Sequence, residues 1–226
     1  FENILGKNTE VSIVENYVKW FYHQFDEILV PTQEYISILE KRGYDIEKMK
    51  IFKRGVDVES FEYKETGRKF IKEYLSIEKG PILLYTGRIS EDKNLKFLFQ
   101  VCLECKKKWK DLKIIIAGDG PDLPDLKKEF FHEKDIFFPG LVSQKILPYF
   151  YSGADILIFP STTDTFGMSV LEAQACGLPA IVSQVGGPKE IIKDGETGYI
   201  ADSSDMDDWI NKLDLILNLK ENHFHD

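Results

Sequence analysis

Along this 226-residue chain the apolar positions switch repeatedly between short unbroken runs and a spacing of three and four. Unbroken runs suit buried strands, and the wider spacing suits helices with one apolar face. Val11, Val14, Val18, Phe21 and Phe25 recur at helical spacing, with Trp20 and Tyr22 covering another flank. Residues 27–30, closed by Pro31, predict a strand, Thr32 caps a helix reaching Arg42, and 49–52 predict a second strand. A charged stretch over 58–79 is expected to hold a helix around 69–74.

From residue 81 the alternation becomes regular. Strands are predicted at 82–86, 113–117, 136–138, 154–159, around Val182 and at 198–200. Between them fall helices at 94–108, 124–131 and 144–151, one starting at Phe166-Gly167, and a short one at 188–193. A last helix at 205–219 carries Trp209, Leu213 and Leu217 on one stripe. Strands joined by crossover helices form a parallel sheet covered on both faces. The expected fold is therefore α/β, a Rossmann-like doubly wound parallel sheet, preceded by the tail of another βαβ pattern.

Composition narrows the function. A hydrophobic content of 43% is ordinary for a globular protein, and a formal net charge of −9 argues against a broad nucleic-acid surface. A local basic pocket stays open. No apolar run approaches the ~20 residues of a membrane span. Cys102, Cys105 and Cys176 form no disulfide framework and suit a reducing cytosol. Cys102 and Cys105 make a C-x-x-C inside a helical pattern with no second ligand pair, so they are read as helix residues rather than a zinc or redox site. His23 in its aromatic helix is read as packing or surface. The chain opens with Phe1 rather than Met, so a segment upstream is expected.

Open sheets of this class bind ligands at the carboxyl ends of their strands. The chemistry-bearing residues fall there. After the strand at 82–86 come Gly87, Arg88 and Lys93: a turn, a guanidinium and an ammonium that together suit a diphosphate. On spacing alone they read equally as solvated charges beside Glu91 and Asp92. Gly118-Asp119-Gly120-Pro121 reads as a turn. Pro160 stops the strand at 154–159, and the loop after it carries Asp164 ahead of a helix carrying Glu172. Open amides and the helix dipole there attract phosphate, and Gly167 lets a ligand approach the backbone. Glu172, on one face with Ser169 and Cys176, could chelate the hydroxyls of a ribose. The plainer reading is a capping acid and a solvated glutamate. Gly186-Gly187-Pro188 reads as an anion-accepting turn or a flexible connection. No D-x-D metal cluster sits in a loop at these strand ends.

The run DTFGMSVLEAQACGLP at 164–179, followed by VGGPKEIIKDGETGYI at 185–200, resembles the donor-site signature of the retaining glycosyltransferases of family 4, which have the GT-B fold. The R-G-V-D at 54–57 is similar to that family's crossing between lobes, and G-R with K-N at 87–94 to its diphosphate element. The resemblance spans about 54–200. It implies that 1–57 is a remnant of the N-terminal acceptor lobe with the crossing, and 58–226 the nucleotide-sugar-binding domain. It also implies a retaining, metal-independent hexosyltransferase using a UDP-sugar or GDP-sugar, without a cofactor, cytoplasmic or peripheral at the membrane, on a polysaccharide or lipid acceptor.

By the same resemblance Arg88 and Lys93 with Gly87 hold the diphosphate, and Asp164 orients the sugar. These two cations and Asp164 are the catalytic candidates. The backbone at Leu141 faces the base, Phe166, Gly167, Met168 and Ser169 line the donor, and Glu172 binds the ribose. The family has two glutamates where this chain has Asp164 and Glu172, so the first acid is a methylene shorter. Without its N-terminal lobe the chain is expected to bind donor and transfer poorly. A non-catalytic nucleotide-sugar module, a phosphorylase and a nucleotide-sugar epimerase are the alternatives.

Overall fold

The computed structural model describes residues 10–220, and its contacts divide the chain into two units, Phe1–Arg54 and Gly55–Asp226. Residues 1–9 and 221–226, including the opening Phe1 and the far end of the second expected domain, lie outside the described residues.

The first unit runs α1 (Glu10–His23), β1 (Ile28–Val30), α2 (Gln33–Lys41) and β2 (Met49–Ile51). The two strands pair in parallel, Ile28 opposite Met49. Thr32 caps α2 as its sequence predicts, its hydroxyl accepting from the Tyr35 amide at 3.3 Å. Val30, Ile36 and Met49 form a small buried cluster. So small a cluster cannot cover the apolar stripe of α1, and Val14, Phe21 and Phe25 stay exposed within this unit along with Trp20 and Tyr22.

The second unit begins with α3 (Gly67–Leu75) and β3 (Ile82–Thr86), then a 3-10 turn at Glu91–Lys93 and α4 (Leu95–Cys105). It continues through β4 (Lys113–Ala117), α5 (Leu123–Glu129), β5 (Ile136–Gly140), α6 (Leu147–Gly153) and β6 (Ile156–Phe159). It closes with α7 (Met168–Ala175), β7 (Ala180–Ser183), a 3-10 turn at Gly187–Glu190, β8 (Gly198–Ala201) and α8 (Met206–Lys220). The six strands are all parallel, in the order β5-β4-β3-β6-β7-β8. Every residue of β3, β6 and β7 is buried, so both faces of the sheet are covered. Packing of α3 on α6 and α6 on α7, and of α4 on α8, supplies the cover.

Several boundaries differ from the periodicity, the strand expected at 154–159 beginning at Ile156 among them, and three differences have a plain local cause. The helix expected from residue 144 starts at Leu147, because Pro148 is tolerated only in a first turn. The helix expected from residue 94 starts at Leu95, Asn94 being left-handed at φ 56°. The short helix expected at 188–193 is only the 3-10 turn, too brief to repay the cost of helix nucleation.

The order of strands places the site. Successive strands step outward from β3 through β4 to β5, and in the other direction from β6 through β7 to β8. The connections therefore part between β3 and β6, leaving a crevice at their carboxyl ends. At their amino ends the same two strands are locked together. Buried Asp155 accepts from Arg68 at 2.8 Å and from the Ile82 amide at 2.7 Å, and Arg68 also donates to the carbonyls of Gly153 and Gly80. A buried carboxylate so supplied with donors is compensated for its lost hydration.

The stripe Trp209, Leu213 and Leu217 on α8 is fully buried. Leu213→Ala is expected to cost about 3 kcal/mol of unfolding free energy. Urea denaturation measures it, and a loss below about 1 kcal/mol would show that α8 does not close the core.

Candidate functional site

Backbone bonds stitch the loops on each side of the crevice. On one side the Gly87 amide donates to the Ala117 carbonyl at 3.0 Å, Ile89 to Asp119 at 2.9 Å, and Gly118 to Gly140 at 2.9 Å. A Cβ on Gly118 would stand 1.8 Å from the Gly87 carbonyl oxygen, so the G-D-G-P turn is a packing device between loops. On the other side the Gly187 amide donates to the Asp164 carbonyl at 2.8 Å, and a Cβ on Gly187 would lie 2.1 Å from the Thr165 oxygen. With its amide committed and its Cα pressed on that backbone, Gly187 joins two loops; it is neither a flexible connection nor an open anion turn.

Across the crevice the bonds use side chains. The Lys93 ammonium reaches Asp164 Oδ2 at 2.9 Å and Asp92 Oδ2 at 3.1 Å. The Asp92 carboxylate also accepts from the hydroxyls of Ser90 at 2.5 Å and Thr163 at 3.1 Å. Thr163 lies in the loop after β6 and Asp92 in the loop after β3, so this is a second bridge over the same gap. Lys93 is mostly buried, its side chain 15% exposed. Burial works against its charge, but the bonds to Asp164 and Asp92 outweigh that, and its pKa is raised. For Asp92 burial acts upward, and the bonds from Ser90, Lys93 and Thr163 outweigh it, holding the carboxyl down to about 2. A half-buried ammonium held by carboxylates can take an anionic oxygen in exchange without being left unpaired.

The helix after Asp164 opens on a glycine. Gly167 sits at its N-cap with φ 95°, a left-handed value that favours glycine, and makes no side-chain cap bond to the first turn. Phe166 is buried, and Met168 and Ser169 are half-buried where the open amides and helix dipole lie. Further along the helix, Glu172 Oε2 accepts from the Tyr151 hydroxyl at 2.8 Å, and that hydroxyl is 2.9 Å from Thr86 Oγ1. Burial pushes the Glu172 carboxyl up, and the Tyr151 bond pulls it partly back.

The structure thus brings Lys93 and Asp164 together and places Glu172 within a hydrogen-bonded group of its own. Gly87 is part of the stitching, while the Arg88 side chain is exposed and its carbonyl accepts from Tyr85 at 2.8 Å. Leu141 is exposed just past the end of β5. Sequence reasoning missed Thr163, Tyr151 and Thr86, and named Asp92 only as a neighbour of the two cations. Cys102 and Cys105 are buried free thiols on α4, and burial pushes Cys105 up to about 12. Among the described residues no group of three or more His, Cys, Asp or Glu is arranged to hold a metal ion.

Residues 67–224 match the family model described as glycosyl transferases group 1. The chain belongs to that family. The likeness extends to the sulfoquinovosyl transferase SQD2 of Arabidopsis thaliana, 29% identical over 90% of this chain and 40% of the relative. The alpha-monoglucosyldiacylglycerol synthase of Streptococcus pneumoniae is 30% identical over 75% of this chain and 40% of its own length. The chain thus spans about two fifths of these curated relatives. Among solved structures, Anabaena HepE in complex with UDP-glucose superposes with a TM-score of 0.76 at 19% identity, over 88% of this chain and 55% of that one. This second likeness shows the fold, the one that the signature at 164–179 and 185–200 implied.

Glu172 makes a test of the site's electrostatics. Its folded-state pKa is raised, so its contribution to stability is fully present below the ordinary value of 4.5 and is lost as pH rises through the raised one. Glu172→Gln keeps an acceptor for Tyr151 and removes the titration. Its melting temperature relative to the unaltered protein is expected to rise between pH 4 and pH 8. A difference that stays constant across that range would contradict the raised value.

Proposed function

We propose that this chain is the donor-binding part of a retaining glycosyltransferase, which moves a hexosyl group from a nucleotide-diphosphate sugar to an acceptor hydroxyl. The observation that carries the reading is the Lys93–Asp164 pair, which spans the crevice between β3 and β6 just ahead of the glycine-capped start of α7. Cation, sugar-orienting carboxylate and phosphate-attracting amides are thereby gathered at one switch point. The family membership and the HepE complex, whose ligand is UDP-glucose, support the same donor class.

In this reading the diphosphate takes Lys93, with Arg88 from the exposed side of the same loop, and the amides of Met168 and Ser169. Glu172 receives the ribose, and the backbone near Leu141 faces the base. The bond between the anomeric carbon and the β-phosphate oxygen breaks. The acceptor oxygen bonds to that carbon on the face the diphosphate leaves, and the acceptor's proton passes to the departing diphosphate. Arg88 and Lys93 stabilise the charge that grows there, which is the stabilisation a divalent metal would otherwise supply. Asp164 positions the sugar and need not become a nucleophile. The acceptor is assigned to an N-terminal lobe of which residues 1–57 are the tail. The name of the Streptococcus pneumoniae relative supports a lipid among the acceptors, and with it a reading of the enzyme as peripheral to a membrane. No helix among the described residues is long and apolar enough to cross a membrane.

Thermal unfolding in the presence of UDP, GDP, ADP and their sugars tests the donor site. A ligand at ~100 times its dissociation constant adds ~2.7 kcal/mol, a shift of several degrees for a domain of this size. Stabilisation by one base family, lost in Arg88→Ala and Lys93→Ala, is the expected result. Equal stabilisation in the folded variants would place the diphosphate elsewhere.

A further inference from the structure

We propose that Tyr151 is a positioning residue for nucleoside recognition: relayed from Thr86, its hydroxyl engages one carboxylate oxygen of Glu172 and so presents the other to the vicinal hydroxyls of a ribose. This inference rests on the donor reading above.

Tyr151 is completely buried, its ring packed against Phe61 with centroids 6.2 Å apart, and its hydroxyl is the one polar group of the side chain. A phenol has one proton to give. Ionised Glu172 can only accept, so that proton goes to Oε2 at 2.8 Å, and the Thr86 hydroxyl, buried at the end of β3, must donate to Tyr151 at 2.9 Å. The Ser169 hydroxyl on α7 bonds the same phenol, so Tyr151 takes bonds from β3 and from α7 and donates its own proton to Glu172 across the switch point. Burial pushes the Tyr151 phenol well above its ordinary pKa, so it remains a donor throughout the working pH range. Among the described residues the other oxygen, Oε1, has no bonded protein donor, and a cis-diol supplies two. A carboxylate fixed at one oxygen loses less rotational freedom on binding than one free to turn.

The test measures affinities of the full chain for the ribo and 2′-deoxy forms of UDP, GDP and ADP by calorimetry, in the unaltered protein, Tyr151→Phe and Glu172→Gln. The expected result is a ribo preference that falls about tenfold in both variants while binding of the diphosphate part persists. A merely structural role for Tyr151 would weaken both forms equally and leave their ratio unchanged. A ratio lost in Glu172→Gln and kept in Tyr151→Phe overturns this inference and leaves the donor reading standing. A ratio kept in Glu172→Gln, or no binding by any of the nucleotides, overturns the ribose reading and this inference with it. If Tyr151→Phe does not fold, Thr86→Val with Ser169→Ala removes both donors that orient the Tyr151 hydroxyl, with a reduced ratio supporting the inference and an unchanged one overturning it.

Discussion

The Lys93–Asp164 ion pair spans the one place where the connections of the six-stranded sheet part, and the arrangement around it follows from that gap. Strands buried on both faces need helices on both faces, and helices on both faces require the chain to wind outward in two directions from the centre. The carboxyl ends of β3 and β6 are then left without a shared loop. On either side neighbouring loops close on one another through backbone bonds, at glycines where no Cβ would fit. Between them stand Lys93, Asp92, Thr163 and Asp164, whose side chains can change partners as backbone cannot.

The two ends of the same strand pair make an instructive contrast. At the amino end Arg68 and Asp155 are surrounded by backbone partners and bind β3, β6 and α3 into one piece. At the carboxyl end Lys93 is held by carboxylates, one of them itself pinned by Ser90 and Thr163, next to a helix that starts on Gly167. The raised pKa of Glu172 fits the same division, since a carboxylate half-buried at the mouth of a site costs stability when ionised. A rigid base and an exchangeable rim are what a binding site at a switch point needs.

Much of this was legible in the sequence because parallel-sheet strands announce themselves as unbroken apolar runs. The strand at Lys113–Ala117 falls where the run predicts, and so does the start of α7 after Gly167. Boundaries were less legible where a single residue overrode the pattern, as Pro148 does for α6. The cations and carboxylates of the candidate site stood out at strand ends, and the resemblance, not their spacing, chose a binding role over solvated charges. Their partners did not stand out. Tyr151 in a row of aromatics looks like packing, and Thr86 looks like the last residue of a strand, because only folding brings residues 65 apart in sequence to 2.9 Å. The apolar stripe of α1 shows the converse, a pattern that specifies a helix without specifying what covers it.

The most direct measurement is a crystal structure of the chain with a nucleoside diphosphate. The account predicts the diphosphate between the Lys93 ammonium and the amides of Met168 and Ser169, with the ribose on Glu172. A nucleotide bound anywhere else, such as the apolar cavity of about 160 Å³ lined by Pro179, Tyr199, Ile216 and Leu219, would contradict it.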